Sequence, residues 1–250
     1  MKIAGFCVVN GNYEIQLRIL LDSLFKNLKI KIDFFVYYNK INNKNINKCV
    51  EFRKIPELNI NFKSCTEYDN IMDLILSKIK IFSDLSKEYD QVFNIDLDML
   101  VLKNLDCVFE KYKEPYLYGC LEDTNYIRLY ERRKKVLNFI GITEKQYINA
   151  GFMILNFPFE FDENEIKTFF KLCPYSNCPE QDFLNWKFKN KIKIMPNNVN
   201  WNRFLPFETS PYIVHYLGFP KPWHLKNKDN CEIFFKKYFN YMKKIGISNF

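Results

Sequence analysis

Apolar residues recur along the chain with two periods, and the alternation between them predicts the elements. Residues 3–9 form a short apolar run suited to a buried strand, and Asn10-Gly11-Asn12 after it supplies turn chemistry. Ile15, Leu17, Leu20, Leu21, Leu24 and Leu28 then fall near helical spacing, which predicts a helix over 13–27 with Asn12 as its N-cap. A second strand at 32–38 completes the opening βαβ unit of a parallel, doubly wound sheet. Residues 39–48, rich in Asn and Lys, read as a surface connection, and 51–55 as a short strand ended by Pro56. Ile71, Met72, Ile75, Ile79 and Phe82 place a helix over 69–85, carrying Lys78 and Lys80, directly before the apolar run 92–102.

Beyond that run, 102–105 leads to a short helix ending near Phe109, and 116–121 is a strand. Residues 124–141 are polar, basic and helical in pattern, while 150–156 is strand-like and stopped by Pro158. A loop at 173–179 contains Pro174 and Pro179, and a helix over 182–189 follows, which Glu180 helps to start. Short strands at 192–195 and 212–215 precede a last aromatic, basic helix over 231–244. Strands alternating with helices predict the α/β class, a single Rossmann-like α/β/α domain with a mostly parallel central sheet. At 250 residues the chain can bury one sizeable core, and no internal repeat or low-complexity linker divides it.

The composition, 48% hydrophobic and 18% aromatic, excludes a disordered chain. The net charge of +8 suits an anionic partner: nucleic acid, an acidic membrane surface or a phosphorylated small molecule. Its basic residues are scattered, and the densest clusters, Arg132-Arg133-Lys134-Lys135 and Lys236-Lys237, read as solvated helix faces. No stretch interleaves aromatic and basic residues as a nucleic-acid surface would, so nucleic acid is not an expected partner. Eight dispersed cysteines without a CxxC pair, two of them (Cys7 and Cys120) in buried-strand runs, fit thiols in a reducing compartment. The first ten residues read as a strand and not as a signal peptide, and no apolar run approaches the ~18 residues of a membrane span. A cytoplasmic location is therefore expected. In the last helix Phe234, Phe235, Tyr238, Phe239 and Met242 form a stripe beside four lysines; it can pack on the domain, the favoured reading, or make a peripheral contact with an anionic membrane.

Chemistry enters where polar residues break apolar runs. In 92–102, Asp96 and Asp98 stand two apart, so on a strand both carboxylates would point the same way from its end. Two like charges beside an apolar run call for a cation between them. The seven glycines form neither GxGxxG nor a P-loop, so a phosphorylated ligand would need its charge neutralised by a metal and by lysines. Residues 214–223 supply His215, Gly218 and Lys221. The imidazole can complete a site begun by two carboxylates, an O/N set that suits manganese better than calcium. Gly218 lets backbone approach a phosphate, and Lys221 can supply charge.

Asn94-x-Asp96-x-Asp98, Asn149-Ala150-Gly151-Phe152-Met153-x-Leu155-Asn156, Glu180-Gln181-Asp182-x-Leu184-Asn185 and His215-x-x-Gly218-x-x-Lys221-Pro222-Trp223 occur in that order. Together they resemble glycosyltransferase family 8, which includes glycogenin and bacterial lipopolysaccharide galactosyl- and glucosyltransferases, over nearly the whole chain. The resemblance implies a GT-A fold and retaining transfer of a hexose from a UDP-sugar (UDP-glucose, UDP-galactose or UDP-N-acetylglucosamine) to a glycan or glycoprotein acceptor. It implies Mn²⁺, with Mg²⁺ as a substitute, held by Asp96, Asp98 and His215. Asp96 would also contact the ribose, Gly218 and Lys221 the diphosphate, Lys78 the phosphates or donor sugar, and Asn10 and Tyr13 the uridine. Asn149, Glu180 and Gln181 would line the sugar pocket as the catalytic side. Residues 1–104 then form a nucleotide-binding half, 105–224 a donor-sugar and acceptor half, and 225–250 a C-terminal helix.

Departures from the family pattern accompany the matches. Glu180 stands where Asp is usual, one methylene longer, and 196–211 contains no tyrosine, so a self-glycosylated tyrosine in that loop is not expected. Gln181 is a poor nucleophile, which points to front-face attack by the acceptor with Gln181 as a positioning group. The alternative is a non-catalytic nucleotide-sugar-binding or lectin-like module on the same fold.

Overall fold

The computed structural model describes residues 1–10, 13–39, 59–64, 71–122, 131–176, 178–205, 208–225 and 232–247. Strand β1 (Ile3–Asn10) is followed by helix α1 (Glu14–Lys26) and strand β2 (Asp33–Asn39), which pairs parallel to β1 from Ala4–Asp33 to Asn10–Asn39. Strand β3 (Asn59–Ser64) extends the parallel sheet beyond β2. The chain then crosses back through α2 (Ile71–Ser86) to β4 (Gln91–Ile95), parallel to β1 on its other side. Strand order therefore reverses between β1 and β4, and the crevice beyond their C-terminal ends is where open α/β sheets bind ligands.

After β4 come β5 (Met99–Val101), α3 (Asp106–Lys111), β6 (Leu117–Leu121), α4 (Glu131–Ile140) and β7 (Ile148–Leu155). Helices α5 (Glu163–Leu172) and α6 (Pro179–Lys187) lead to β8 (Ile192–Met195), β9 (Trp201–Asn202), β10 (Ile213–His215) and α7 (Ile233–Lys244). The large sheet runs β3-β2-β1-β4-β7-β6-β8, with β7 antiparallel to both of its neighbours and the other pairs parallel. A small sheet, β5-β10-β9, sets β10 antiparallel to β5.

Alternation along β1 divides the core. Ile3, Cys7 and Val9 face one apolar cluster with Leu17, Leu20 and Leu24 of α1, while Ala4 and Phe6 face another with Ile79 and Phe82 of α2. Each fully buried Phe or Leu contributes roughly 1.5–3 kcal/mol, so the two layers fix the ends of β1 and β4 relative to each other. A third cluster joins α7 to the small sheet through Trp201, Val214 and Tyr216.

Most expected elements are present, with instructive differences. The run 92–102 is not one strand: β4 ends at Ile95, Asp96 and Asp98 lie in a turn, and Met99–Val101 joins the other sheet by pairing with β10. The carboxylates meet because the chain turns there, not because of strand alternation. Helix α6 begins at Pro179 instead of 182, which puts Glu180 and Gln181 in its first turn. Strand β3 and helix α5 were not anticipated, although 59–64 alternates polar and apolar residues and Asp162 caps α5 by accepting the Asn164 and Glu165 backbone N–H groups. Arg133, read as part of a solvated face, is fully buried. The α7 stripe packs on the domain, with Phe234, Phe235, Tyr238, Phe239 and Met242 all buried, which removes the apolar face a membrane contact would need. No described helix is long and apolar enough to cross a membrane. The described cysteines Cys7, Cys107, Cys120, Cys173 and Cys178 are free thiols. Asn12, Cys49, Cys65, Cys231, the strand expected at 51–55 and the first part of the helix expected at 124–141 lie outside the described residues.

Candidate active site

The turn after β4 carries Asp96 and Asp98 to the C-terminal edge of the sheet at the order reversal. Backbone bonds fix its two ends: Asp96 N–H donates to Gly151 O on β7 (3.0 Å), and Tyr216 N–H, just past β10, donates to Asp98 O (2.8 Å). Register places His215 opposite Met99, so the imidazole arrives from the neighbouring strand beside both acids. Ligand atoms of Asp96, Asp98 and His215 all lie within 4.8 Å of one another. His215 Nε2 is 3.4 Å from Asp98 Oδ1, and its buried Nδ1 has no hydrogen-bond partner. Gly151 makes the room, because a Cβ there would sit 2.4 Å from His215 Cε1 and 2.8 Å from Nδ1.

Two lysines neutralise the acids. Lys78 of α2 donates to Asp96 Oδ1 at 2.7 Å and lies 3.5 Å from Glu180 Oε1. Lys221 donates to Asp98 Oδ2 and, at 2.9 Å, to Tyr216 O. Burial pushes the Asp98 carboxyl up, but His215 and Lys221 outweigh it and hold the group well below the usual carboxylate range. Asp96 moves the other way: burial, helped by the Asp98 charge, outweighs Lys78 and raises it. Burial disfavours the Lys78 ammonium, yet Asp96 and Glu180 keep it more basic than an ordinary lysine. Two oxygens and one imidazole nitrogen, with an unpartnered buried nitrogen on the same ring, match the donor set of a divalent cation such as Mn²⁺.

A second group of side chains adjoins the first across β7. Asn149 Nδ2 and Gln181 Nε2 both donate to Glu122 Oε2, at 3.0 and 2.9 Å. Gln181 Oε1 accepts Ala150 N–H (2.8 Å), and Asn149 Oδ1 accepts Gly151 N–H (2.9 Å) and Asn200 Nδ2–H (3.1 Å). All four side chains are buried. Glu122 and Asn200 were not singled out from the sequence. Glu122 carries a readable signal, an acid directly past the end of the buried strand β6, as Asp96 follows β4.

Other motif residues are structural. Asn94 ties β4 to β7 by donating to Ala150 O (2.7 Å) and accepting from Met153 N–H (3.0 Å). Asn185 brackets Ile148 through its N–H and carbonyl, both at 2.9 Å. Asp182 accepts from Arg133 (2.7 Å), Ser176 Oγ (2.7 Å) and Tyr147 Oη, a buried ion pair locking α6 to α4. Tyr13 is 41% exposed and meets Trp223 edge-on at 6.2 Å, while Trp223 also packs on Tyr238 at 6.1 Å, which supports the structural reading of Pro222-Trp223. Asn10 ends β1 at the same edge of the sheet, and its side chain lies outside the described atoms. Gly218 has φ +78°, a conformation other residues rarely adopt, in the arch between His215 and Lys221.

The chain was then compared with known proteins. The model of glycosyl transferase family 8 matches residues 6–227. A Haemophilus influenzae protein assigned as a glycosyltransferase is 26% identical over 245 residues, covering 88% of this chain and 73% of its own. Galactinol synthase 1 of Solanum lycopersicum is 30% identical over 168 residues, covering 61% of this chain and 50% of the synthase, so the chain spans about half of that relative. Among solved structures, the galactosyltransferase LgtC with donor and acceptor sugar analogues superposes with a TM-score of 0.75 at 18% identity, over 97% of this chain and 96% of LgtC. The bifunctional glycosyltransferase WbbM matches with a TM-score of 0.74 at 17% identity, over 98% of this chain and 50% of WbbM. At those identities the likeness shows the fold, the GT-A fold expected from the sequence. With a family model covering all but the ends, and the motif residues gathered at one edge of that fold, the chain belongs to glycosyl transferase family 8, a glycosyltransferase.

Proposed function

We propose that this glycosyltransferase moves a hexose from a UDP-sugar to a glycan or glycoprotein acceptor, with retention at the anomeric carbon and with help from Mn²⁺ or Mg²⁺. The observation that carries the reading is the meeting of Asp96, Asp98 and His215 within 4.8 Å, flanked by Lys78 and Lys221, at the sheet's order reversal. A divalent ion held by these three residues would stabilise the charge that develops on the leaving diphosphate. Lys221 and the Gly218 backbone stand where that diphosphate would lie, and Lys78 is placed for the phosphates or the donor sugar. Asn10 and Tyr13, at the end of β1, would take the uridine.

Asn149, Gln181 and Glu180 form the sugar side. Both amide atoms of Gln181 are engaged, by Ala150 N–H and by Glu122, so the group is fixed, neutral and without a nucleophile's lone pair to spare. It fits a positioning role, and the acceptor hydroxyl then attacks from the face the diphosphate leaves. Glu122, which orients both amides through one oxygen, joins the site as a positioning residue. The names of the relatives, two galactinol synthases and a galactosyltransferase, favour a hexose donor.

Asp98→Asn tests the reading. The side chain keeps its volume but loses the charge that pairs with Lys221 and His215, and UDP release from UDP-glucose, UDP-galactose or UDP-N-acetylglucosamine with Mn²⁺ should fall at least about 100-fold. Unchanged turnover in the variant would overturn the assignment. Tight UDP-sugar binding with no turnover over a broad acceptor panel would favour the non-catalytic module.

A further inference from the structure

Phe219 is 75% exposed, more than any other large hydrophobic side chain among the described residues, and it stands at the tip of the arch that closes the site. Both ends of the arch are fixed on Asp98. Tyr216 N–H donates to Asp98 O, and Lys221 Nζ donates to the Asp98 carboxylate and to Tyr216 O. With four residues between those anchors, the tip stands no more than roughly 7 Å from the arch's base. The tip is held in place. Arg203 donates to Phe219 O at 2.6 Å, Gly218 takes the φ of +78° that the bend requires, and the Phe219 ring lies 5.0 Å from the His224 ring. An aromatic ring fixed and left in water beside a charged site loses little entropy on binding and offers an apolar face to a ligand otherwise recognised by polar groups.

We propose that Phe219 is a stacking platform for the acceptor, and that the acceptor presents the C–H face of a pyranose ring to it. The inference rests on the proposed function, which already assigns the parts of the donor: uridine to the end of β1, diphosphate to Lys221 and Gly218, hexose to Asn149 and Gln181. The second substrate takes the open side of the arch. Arg203 ties the tip to the segment after β9, three residues past Asn200, which bonds Asn149. Phe219 therefore overlooks the sugar side of the site. A pyranose suits it because its ring carbons are apolar on one face while its hydroxyls ring the edge, where Lys and backbone groups are at hand.

The test compares wild type, Phe219→Ala and Phe219→Trp with methyl β-galactoside and methyl β-glucoside as acceptor probes, UDP-sugar as donor and Mn²⁺ present. Glycoside KM, hydrolysis of the donor by water and UDP affinity by calorimetry are read in parallel. For Phe219→Ala the KM for the glycoside should rise, and the ratio of transfer to hydrolysis should fall, by about tenfold, which corresponds to about 1.4 kcal/mol; Phe219→Trp should restore both. An unchanged KM overturns the platform. So does a fall in UDP affinity of the same size, which would place the ring on the nucleotide, or Phe219-dependent sedimentation with phosphatidylserine vesicles, which would place it on a membrane. Wild-type enzyme that hydrolyses UDP-sugars but is accelerated by neither glycoside overturns this inference alone. Wild-type enzyme that neither binds nor hydrolyses them overturns the proposed function with it.

Discussion

A Cβ on residue 151 would lie 2.4 Å from His215 Cε1 and 2.4 Å from Met99 Cε, well inside contact distance, so Gly151→Ala must move the imidazole or β5. The expected result is about a tenfold loss of Mn²⁺ affinity by calorimetry, in the range seen when a ligand's supporting shell is altered; unchanged affinity would detach His215 from the metal site. At this scale much of the site was readable, because Asp96, Asp98 and His215 interrupt apolar runs where charge must have a reason. Arg133 was not. Three basic neighbours disguise it, yet Arg133, Val136, Leu137 and Ile140 share one helical face, and that face is buried. Its guanidinium is satisfied by Asp182 and Tyr147, residues 49 and 14 positions away, which no local pattern reveals.

Among elements, the run 92–102 shows what periodicity leaves out. Both β4 and β5 are buried throughout, so their hydrophobicity is continuous and only the two acids mark the turn that moves the chain from one sheet to the other. Helix α5 was legible through its cap. Asp162 satisfies two backbone donors in the first turn of the helix, and Asp162→Ala should lower stability by about 1 kcal/mol. Urea unfolding should show the lower midpoint while UDP-sugar turnover stays as in wild type, since α5 packs away from the site through Ile166 and Phe169. A midpoint unchanged by the substitution would mean that the cap contributes nothing. Strand β9, only two residues long, has no period to read and exists because β10 pairs with it.

The molecule as a whole buries acidic hydrogens that set its alkaline limit. Burial pushes the Cys120 thiol up to about 12, and burial together with Asp182 raises the Tyr147 phenol well above its ordinary value. In the unfolded chain these groups ionise near ~8.5 and ~10, so above those values the unfolded state holds fewer protons and stability falls by about 1.4 kcal/mol per pH unit for each group. Urea midpoints should be flat near neutrality and decline from about pH 9 upward, with a shallower decline in Cys120→Ala; a flat alkaline limb would contradict this. The α/β class and the place of the site at the sheet's switch point follow from the order of strand and helix patterns. The antiparallel insertion of β7 does not, since pairing direction is decided by contacts between distant residues such as Ile95 and Phe152. The account as a whole depends on the turn between β4 and β5, together with His215, binding a cation that recruits the donor diphosphate. Calorimetry of UDP-galactose, UDP-glucose and UDP-N-acetylglucosamine with Mn²⁺ and then with EDTA measures this directly. At least one donor should bind with the metal present and lose tenfold or more of its affinity, about 1.4 kcal/mol, on chelation, whereas binding indifferent to chelation, or no binding of any of the three, would contradict it.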